Sequence, residues 1–147
     1  MNIEEKLKEL ENAKYKLLLI VGAPGTGKSK LIQQYSEDTG TPILNLNTIF
    51  GEEATAETGE QITKTMNDFI ANYNKEVILL DNKRVLYSKN STIDLLAFLK
   101  DISTKKTVIA TWNGMIQNGN LVHIRSKLPE DLSYPIEDVE CAYIICK

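Results

Sequence analysis

Eight consecutive residues, Gly22-Ala23-Pro24-Gly25-Thr26-Gly27-Lys28-Ser29, satisfy the pattern G-x-x-x-x-G-K-[ST] in full. Each residue type suits the binding of a phosphate chain. Glycines permit the backbone angles that turn successive N–H groups inward around an anion, and they let the chain approach it closely. A helix opening near Lys28 adds unpaired N–H groups and the positive end of its dipole. Lys28 can reach β- and γ-phosphate oxygens, and the Ser29 hydroxyl can ligate Mg²⁺. The four fixed positions coincide by chance in roughly one chain of this length in a few hundred. The expected ligand is a nucleoside triphosphate, as Mg-ATP.

A carboxylate about fifty residues downstream completes the pattern. Val77-Ile78-Leu79-Leu80 is an apolar strand ending on Asp81, at the carboxyl edge of the sheet where ligands bind in open α/β folds. There Asp81 would hold Mg²⁺ through water, together with Ser29. A helix-capping role for Asp81 is the alternative, and the coupling to the upstream loop favours the metal.

These groups need a scaffold, and the order of apolar runs supplies one. Residues 2–13 place Ile3, Leu7 and Leu10 at helical spacing among Glu and Lys, predicting an outer amphipathic helix that could also bind a partner. Leu17 to Val21 are five consecutive large apolar residues, too short for a helix and unalternating, as in a strand buried on both faces. The phosphate loop follows directly, and residues 28–35 carry Leu31, Ile32 and Tyr35 at helical spacing until Gly40 and Pro42 end the segment. Residues 43–46 read as a short second strand. Residues 51–59 read as loop, and 52–73 contain a helix whose apolar side includes Ile62, Met66, Phe69, Ile70 and Tyr73. Residues 77–80 are the third strand, 91–102 a helix with Ser91 as N-cap, and 107–111 the fourth strand.

Such alternation implies a parallel sheet covered on both sides by helices. The expected fold is α/β: a three-layer α/β/α core with a mostly parallel five-stranded sheet, as a single domain over residues 1–147 with its N-terminal helix in 1–14. Asn118-Gly119 is the strongest short hairpin signal and places a small antiparallel hairpin at residues 115–125. Residues 126–138, rich in Pro, Glu and Asp, read as a connecting loop, and 139–146 as the last strand.

Composition narrows the function classes. With 42% hydrophobic and 25% charged residues the 147-residue chain suits one soluble domain with a real core. A net charge of −3 gives no global basic field, so direct nucleic-acid binding is not indicated. No leader pattern opens the sequence and no apolar run approaches the ~18 residues of a spanning helix, so a cytoplasmic protein without membrane attachment is expected. The only cysteines, Cys141 and Cys146, lie five apart and on one strand would face opposite sides of the sheet, which disfavours a disulfide or a metal pair.

The loop and Asp81 together resemble the motifs of P-loop NTPases, and GAPGTGKSKL is most similar to the loop of AAA+ ATPases. The resemblance spans residues 17–111. It implies that another strand lies between those bearing the loop and Asp81, and that a polar residue at that strand's tip senses the γ phosphate. Thr111 and Asn113 flank Trp112 there, and Asn113 is the preferred match. The pattern departs at Asn82, where this branch carries a glutamate as general base. An amide cannot accept that proton at neutral pH, although it can orient water, so slow hydrolysis is expected. The resemblance thus casts Lys28, Asn82 and Asn113 as the residues around the reacting phosphate, with Glu76 and Asp94 as unsupported alternatives for the base.

There are two arginines, Arg84 and Arg125, too few for the phosphate-clamping lid of a small-molecule kinase. Arg125 lies where AAA+ proteins place a finger presented to a neighbouring subunit, which would require a homo-oligomer; a solvated loop arginine is the plainer reading. No helical lid is expected after the last strand, and a standard AAA+ ring engine is therefore not expected. At a finer level the small size, ILLDN, TWNG and NGNL look like the BrxF family, small P-loop proteins of type 3 bacteriophage-exclusion (BREX) defence systems. That resemblance implies a bacterial phage-defence component beside a DNA methyltransferase and a helicase.

Three further residue sets carry less. His123, the single histidine, reads as a surface or cross-strand residue. Trp112 could contact a base, but an aromatic at a strand end more often covers the core edge. Lys105-Lys106 reads as a solvated turn. The leading expectation is a Mg-ATP-binding module with weak or partner-dependent hydrolysis; the rivals are a non-hydrolysing nucleotide-gated adaptor and a small-molecule kinase.

Overall fold

The run Leu17–Val21 offers no polar side to water, and it is buried completely, as the middle of a sheet requires. In a computed structural model that describes residues 3–23, 25–44, 59–81, 95–123 and 132–146, this strand, β1 (Leu17–Gly22), pairs in parallel with a neighbour on each side. The other elements are α1 (Ile3–Glu9), α2 (Lys28–Thr39), β2 (Ile43–Leu44), α3 (Gly59–Ala71), β3 (Val77–Leu80), α4 (Leu95–Ile102) and β4 (Thr107–Gln117). They are followed by β5 (Asn120–His123), β6 (Leu132–Pro135), α5 (Ile136–Val139) and β7 (Ala142–Ile145). Pro24, Asn82, Arg84, Ser91, Asp94, Arg125 and residues 51–58 of the loop predicted at 51–59 lie outside the described residues, as does the stretch 124–131, while Gly59 opens α3.

The parallel sheet has the order β2-β3-β4-β1-β7, so β4 lies between the strand that leads into the glycine loop and the strand that ends on Asp81. Register fixes what meets at the carboxyl edge: Gly22 stands beside Asn113, and Leu80 beside Ala110. Period-two alternation sends side chains to two layers. Leu18, Ile20, Leu79 and Ile109 pack with Ile3, Leu10 and Ile32 from the α1 and α2 side. Leu17, Leu19, Ile78, Leu80 and Val108 pack with Met66, Ile70, Phe98 and Leu99 from α3 and α4. Each of these buried apolar side chains contributes about 1.5–3 kcal/mol. The cysteines divide as their spacing requires, Cys141 joining the second layer and Cys146 the first.

The predicted three-layer α/β/α core with five parallel strands is present. The hairpin also forms, around Asn118 and Gly119 at φ 54° and 78°, the left-handed pair of a type I′ turn. Three boundaries differ from expectation. Strand β4 does not stop at Thr111 but runs on to Gln117, carrying the core sheet into the hairpin. Residues 132–135, expected to be loop, form β6 against β5, and 136–139 form a helical turn that includes Val139, expected in the last strand. Pro135 ends an edge strand, where its missing N–H breaks no ladder bond, so a proline-bearing segment can still pair. The first helix covers Ile3–Glu9 rather than 2–13; Leu10 and Ala13 continue it as turns, bonded to the carbonyls of Leu7 and Leu10.

Candidate functional site

The carboxyl edge of the sheet gathers the loop, Asp81 and the tip of β4. Gly22 ends β1 where a Cβ would run into the Thr26 hydroxyl and approach the Cys146 carbonyl to 3.0 Å, so only glycine lets the loop fold back here. Gly25 and Gly27 hold φ of 84° and 90°, in the left-handed region. Gly27 is the N-cap of α2, without a side-chain cap, and the first turn has no acidic residue. Among the described residues this 12-residue helix thus begins without a side-chain cap, beside the loop.

Within the loop one carbonyl collects three donors. The Thr26 N–H and hydroxyl reach the Ala23 oxygen at 3.3 and 2.7 Å, and Lys28 Nζ donates to the same oxygen at 2.9 Å. Burial pulls the Lys28 pKa below the ordinary lysine value, opposed by the charges of Cys146 and Asp81. A cation held on a neutral carbonyl would bind a phosphate oxygen more strongly, because charge-assisted hydrogen bonds are roughly twice as strong as neutral ones.

Asp81 follows β3 directly and faces both the loop and β4. Ser29 Oγ donates to Asp81 Oδ1 at 3.0 Å, joining residues 52 apart in sequence. Thr111 Oγ1 lies 2.8 Å from the Asp81 main-chain oxygen and 3.0 Å from Oδ1, and Thr111 is buried. Asn113 is half-buried beside Gly22. The structure therefore brings Gly22, Ala23, Gly25, Thr26, Gly27, Lys28, Ser29, Asp81 and Asn113 to one edge. Thr111 is a residue that sequence reading set aside in favour of Asn113. Its signal was register: on neighbouring parallel strands Leu80 pairs with Ala110, so Asp81 and Thr111 come next side by side.

Several expected residues lie elsewhere. Trp112 points to the opposite face, fully buried, with Nε1 donating to the Val122 carbonyl at 3.0 Å and its ring meeting His123 and Tyr134 edge-on at 4.8 and 5.9 Å. A base contact by Trp112 is thereby ruled out in favour of the core role. His123 is cross-strand from Gly114 but buried, not on the surface, because the Trp112 ring packs on it. Glu76 precedes β3, at the end remote from Asp81, and pairs with Lys106 at 3.8 Å, while Lys105 bonds Asn67. The lysine pair is therefore an ordinary surface turn.

The residues fit a phosphate with a hard cation. One carboxylate and one hydroxyl lie at hydrogen-bond distance beside an anion-shaped loop, and among the described residues no group of three or more His, Cys, Asp and Glu could cage a metal. Such a sparse oxygen set suits Mg²⁺, which keeps waters and leans on substrate phosphates. Among the described residues no helix is long and apolar enough to cross a membrane.

A parallel sheet whose first strand feeds a glycine loop and helix, with an acidic strand end across an intervening strand, defines a nucleotide-binding domain of the P-loop ATPase class. The chain belongs to the AAA family, the ATPases associated with various cellular activities, whose sequence model matches residues 18–124. Among solved structures it is similar to C. elegans PCH-2, at 15% identity and a TM-score of 0.46 over 95% of this chain and 37% of that one. It is also similar to the Walker-type ATPase PABY2304 of Pyrococcus abyssi, at 18% identity and a TM-score of 0.37 over 74% of this chain and 44% of that one. The chain thus spans less than half the length of either. No curated protein sequence matches it.

Proposed function

We propose that this domain binds ATP with Mg²⁺ and acts in a bacterial phage-defence assembly, as a member of the BrxF family of type 3 BREX systems, with weak or partner-dependent hydrolysis. The observation that carries the binding reading is the Ser29–Asp81 contact beside the uncapped start of α2. In this reading the backbone of Gly22 to Ser29 encloses the phosphates and Lys28 leaves the Ala23 carbonyl for their terminal oxygens. Ser29 and Asp81 hold the metal, and Asn113, beside Gly22, meets the γ phosphate. Mg²⁺ supplies neutralisation of the phosphate charge. Asn82 stands where a base would be and can orient but not deprotonate water, which supports slow turnover. The defence role rests on the segments ILLDN, TWNG and NGNL.

The test is calorimetry of the purified chain with ATP, with and without Mg²⁺. Binding that is strengthened by the metal is expected; absence of any nucleotide binding would overturn the reading. Neighbouring genes for a DNA methyltransferase and a helicase would support the defence role, and their absence would count against it. A second reading, a nucleotide-gated adaptor that does not hydrolyse, is favoured by Asn82. Turnover by the lone chain, abolished by Lys28→Ala, would exclude it.

A further inference from the structure

We propose that Thr111 is a positioning residue for the metal-facing carboxylate, holding Asp81 in place when Ser29 turns to a ligand. The inference rests on the Mg-ATP reading above and assigns a role within the same site.

The three residues before it in β4, Val108, Ile109 and Ala110, are apolar and fully buried, and valine would fill position 111 equally well by shape. A buried hydroxyl costs free energy unless it is bonded. Two acceptors within reach of Thr111 Oγ1 belong to Asp81: the main-chain oxygen at 2.8 Å and Oδ1 at 3.0 Å. The hydroxyl has one proton to give, so it donates to one of these oxygens at a time, and either bond ties Asp81 to β4.

Ser29 reaches the same Oδ1 from the other side, also at 3.0 Å. The two donors differ in freedom. Ser29 is exposed on the first turn of α2, and its oxygen must reorient to accept a cation. Thr111 is 3% exposed, β-branched and paired in the middle strand, so its rotamer is fixed. A fixed donor behind a carboxylate keeps it aimed while the mobile donor changes partner. Outer partners of this kind, when removed, typically cost metal affinity about 10–100-fold.

The experiment follows binding of a non-hydrolysable ATP analogue as Mg²⁺ is raised, and again in excess chelator, for the wild type, Thr111→Val and Thr111→Ser. The valine variant is expected to need about 10–100-fold more Mg²⁺ for half-maximal binding. Its metal-free affinity should match the wild type, and serine should restore the wild-type metal dependence. Should the valine variant not fold, Thr111→Ala carries the same expectation. Equal metal dependence in the wild type and the hydroxyl-free variant overturns the proposal. So does a loss of the same factor with and without metal, which would mark Thr111 as a support of the fold. A wild type whose analogue binding ignores Mg²⁺ overturns the metal reading of the site itself, and this proposal with it.

Discussion

Strand β4 belongs to two regions built on different terms. It runs parallel to β3 as far as Ala110 and to β1 as far as Asn113, and its tip meets hydroxyls, a carboxylate and a glycine loop. From Gly114 onward it pairs antiparallel with β5, under an aromatic cluster of Trp112, His123 and Tyr134. At the first region the bonds are exchangeable: Lys28 sits on a neutral carbonyl and Ser29 on Asp81, and a phosphate or cation could take either. At the second they are closed: the indole N–H is spent on Val122, and a Cβ at Gly114 would run into the Val122 carbonyl. The same strand thus borders exchangeable polar bonds on one part and closed packing on the next, and substitutions should separate the two.

The largest effect is expected from the packed region. Trp112→Ala should cost about 3–5 kcal/mol of stability, read by urea denaturation, because it empties a fully buried indole site. A cost near zero would show that the antiparallel extension is not part of the core. The opposite pattern is expected at the site. Lys28→Ala should weaken Mg-ATP binding about 10–100-fold, the worth of a charge-assisted hydrogen bond, while leaving the urea midpoint unchanged. A variant that unfolds would mean that the Lys28–Ala23 bond supports the fold rather than waiting for a ligand.

A smaller effect sharpens the same contrast through pH. Burial lowers the Lys28 pKa, chiefly by desolvation, and adjacent phosphate oxygens would raise it again. Binding in mildly alkaline buffer should therefore take up protons, and affinity should fall as pH rises through the lowered value. Calorimetry in two buffers of different ionisation enthalpy measures the uptake, and Lys28→Met should abolish it. Equal proton uptake in both proteins would place the titrating group elsewhere.

The two regions also differed in how far the sequence disclosed them. Gly22 to Ser29 and the strand ending on Asp81 were legible because phosphate binding fixes residue types at fixed spacing, and buried parallel strands read as unbroken apolar runs. The hairpin turn was legible for the same local reason, since Asn118-Gly119 suits two left-handed residues. Strand β6 was not, because Leu132-Ser133-Tyr134-Pro135 becomes a strand only by pairing with β5, and its proline reads as loop. The burial of His123 depends on the Trp112 ring across the ladder, which no spacing in the chain displays. Thr111 was passed over for Asn113 because its link to Asp81 appears only once β4 is known to lie beside β3 in that register.

The most direct measurement is a titration of isotopically labelled protein with Mg-ATP, followed through backbone amide resonances. Shifts should concentrate on Gly22 to Ser29, Asp81 and Thr111 to Asn113, and fade along β4 toward Gln117, leaving β5 and β6 nearly unmoved. No shift at millimolar nucleotide, or a response centred on β5 and β6, would contradict the assignment of ligand chemistry to the parallel edge.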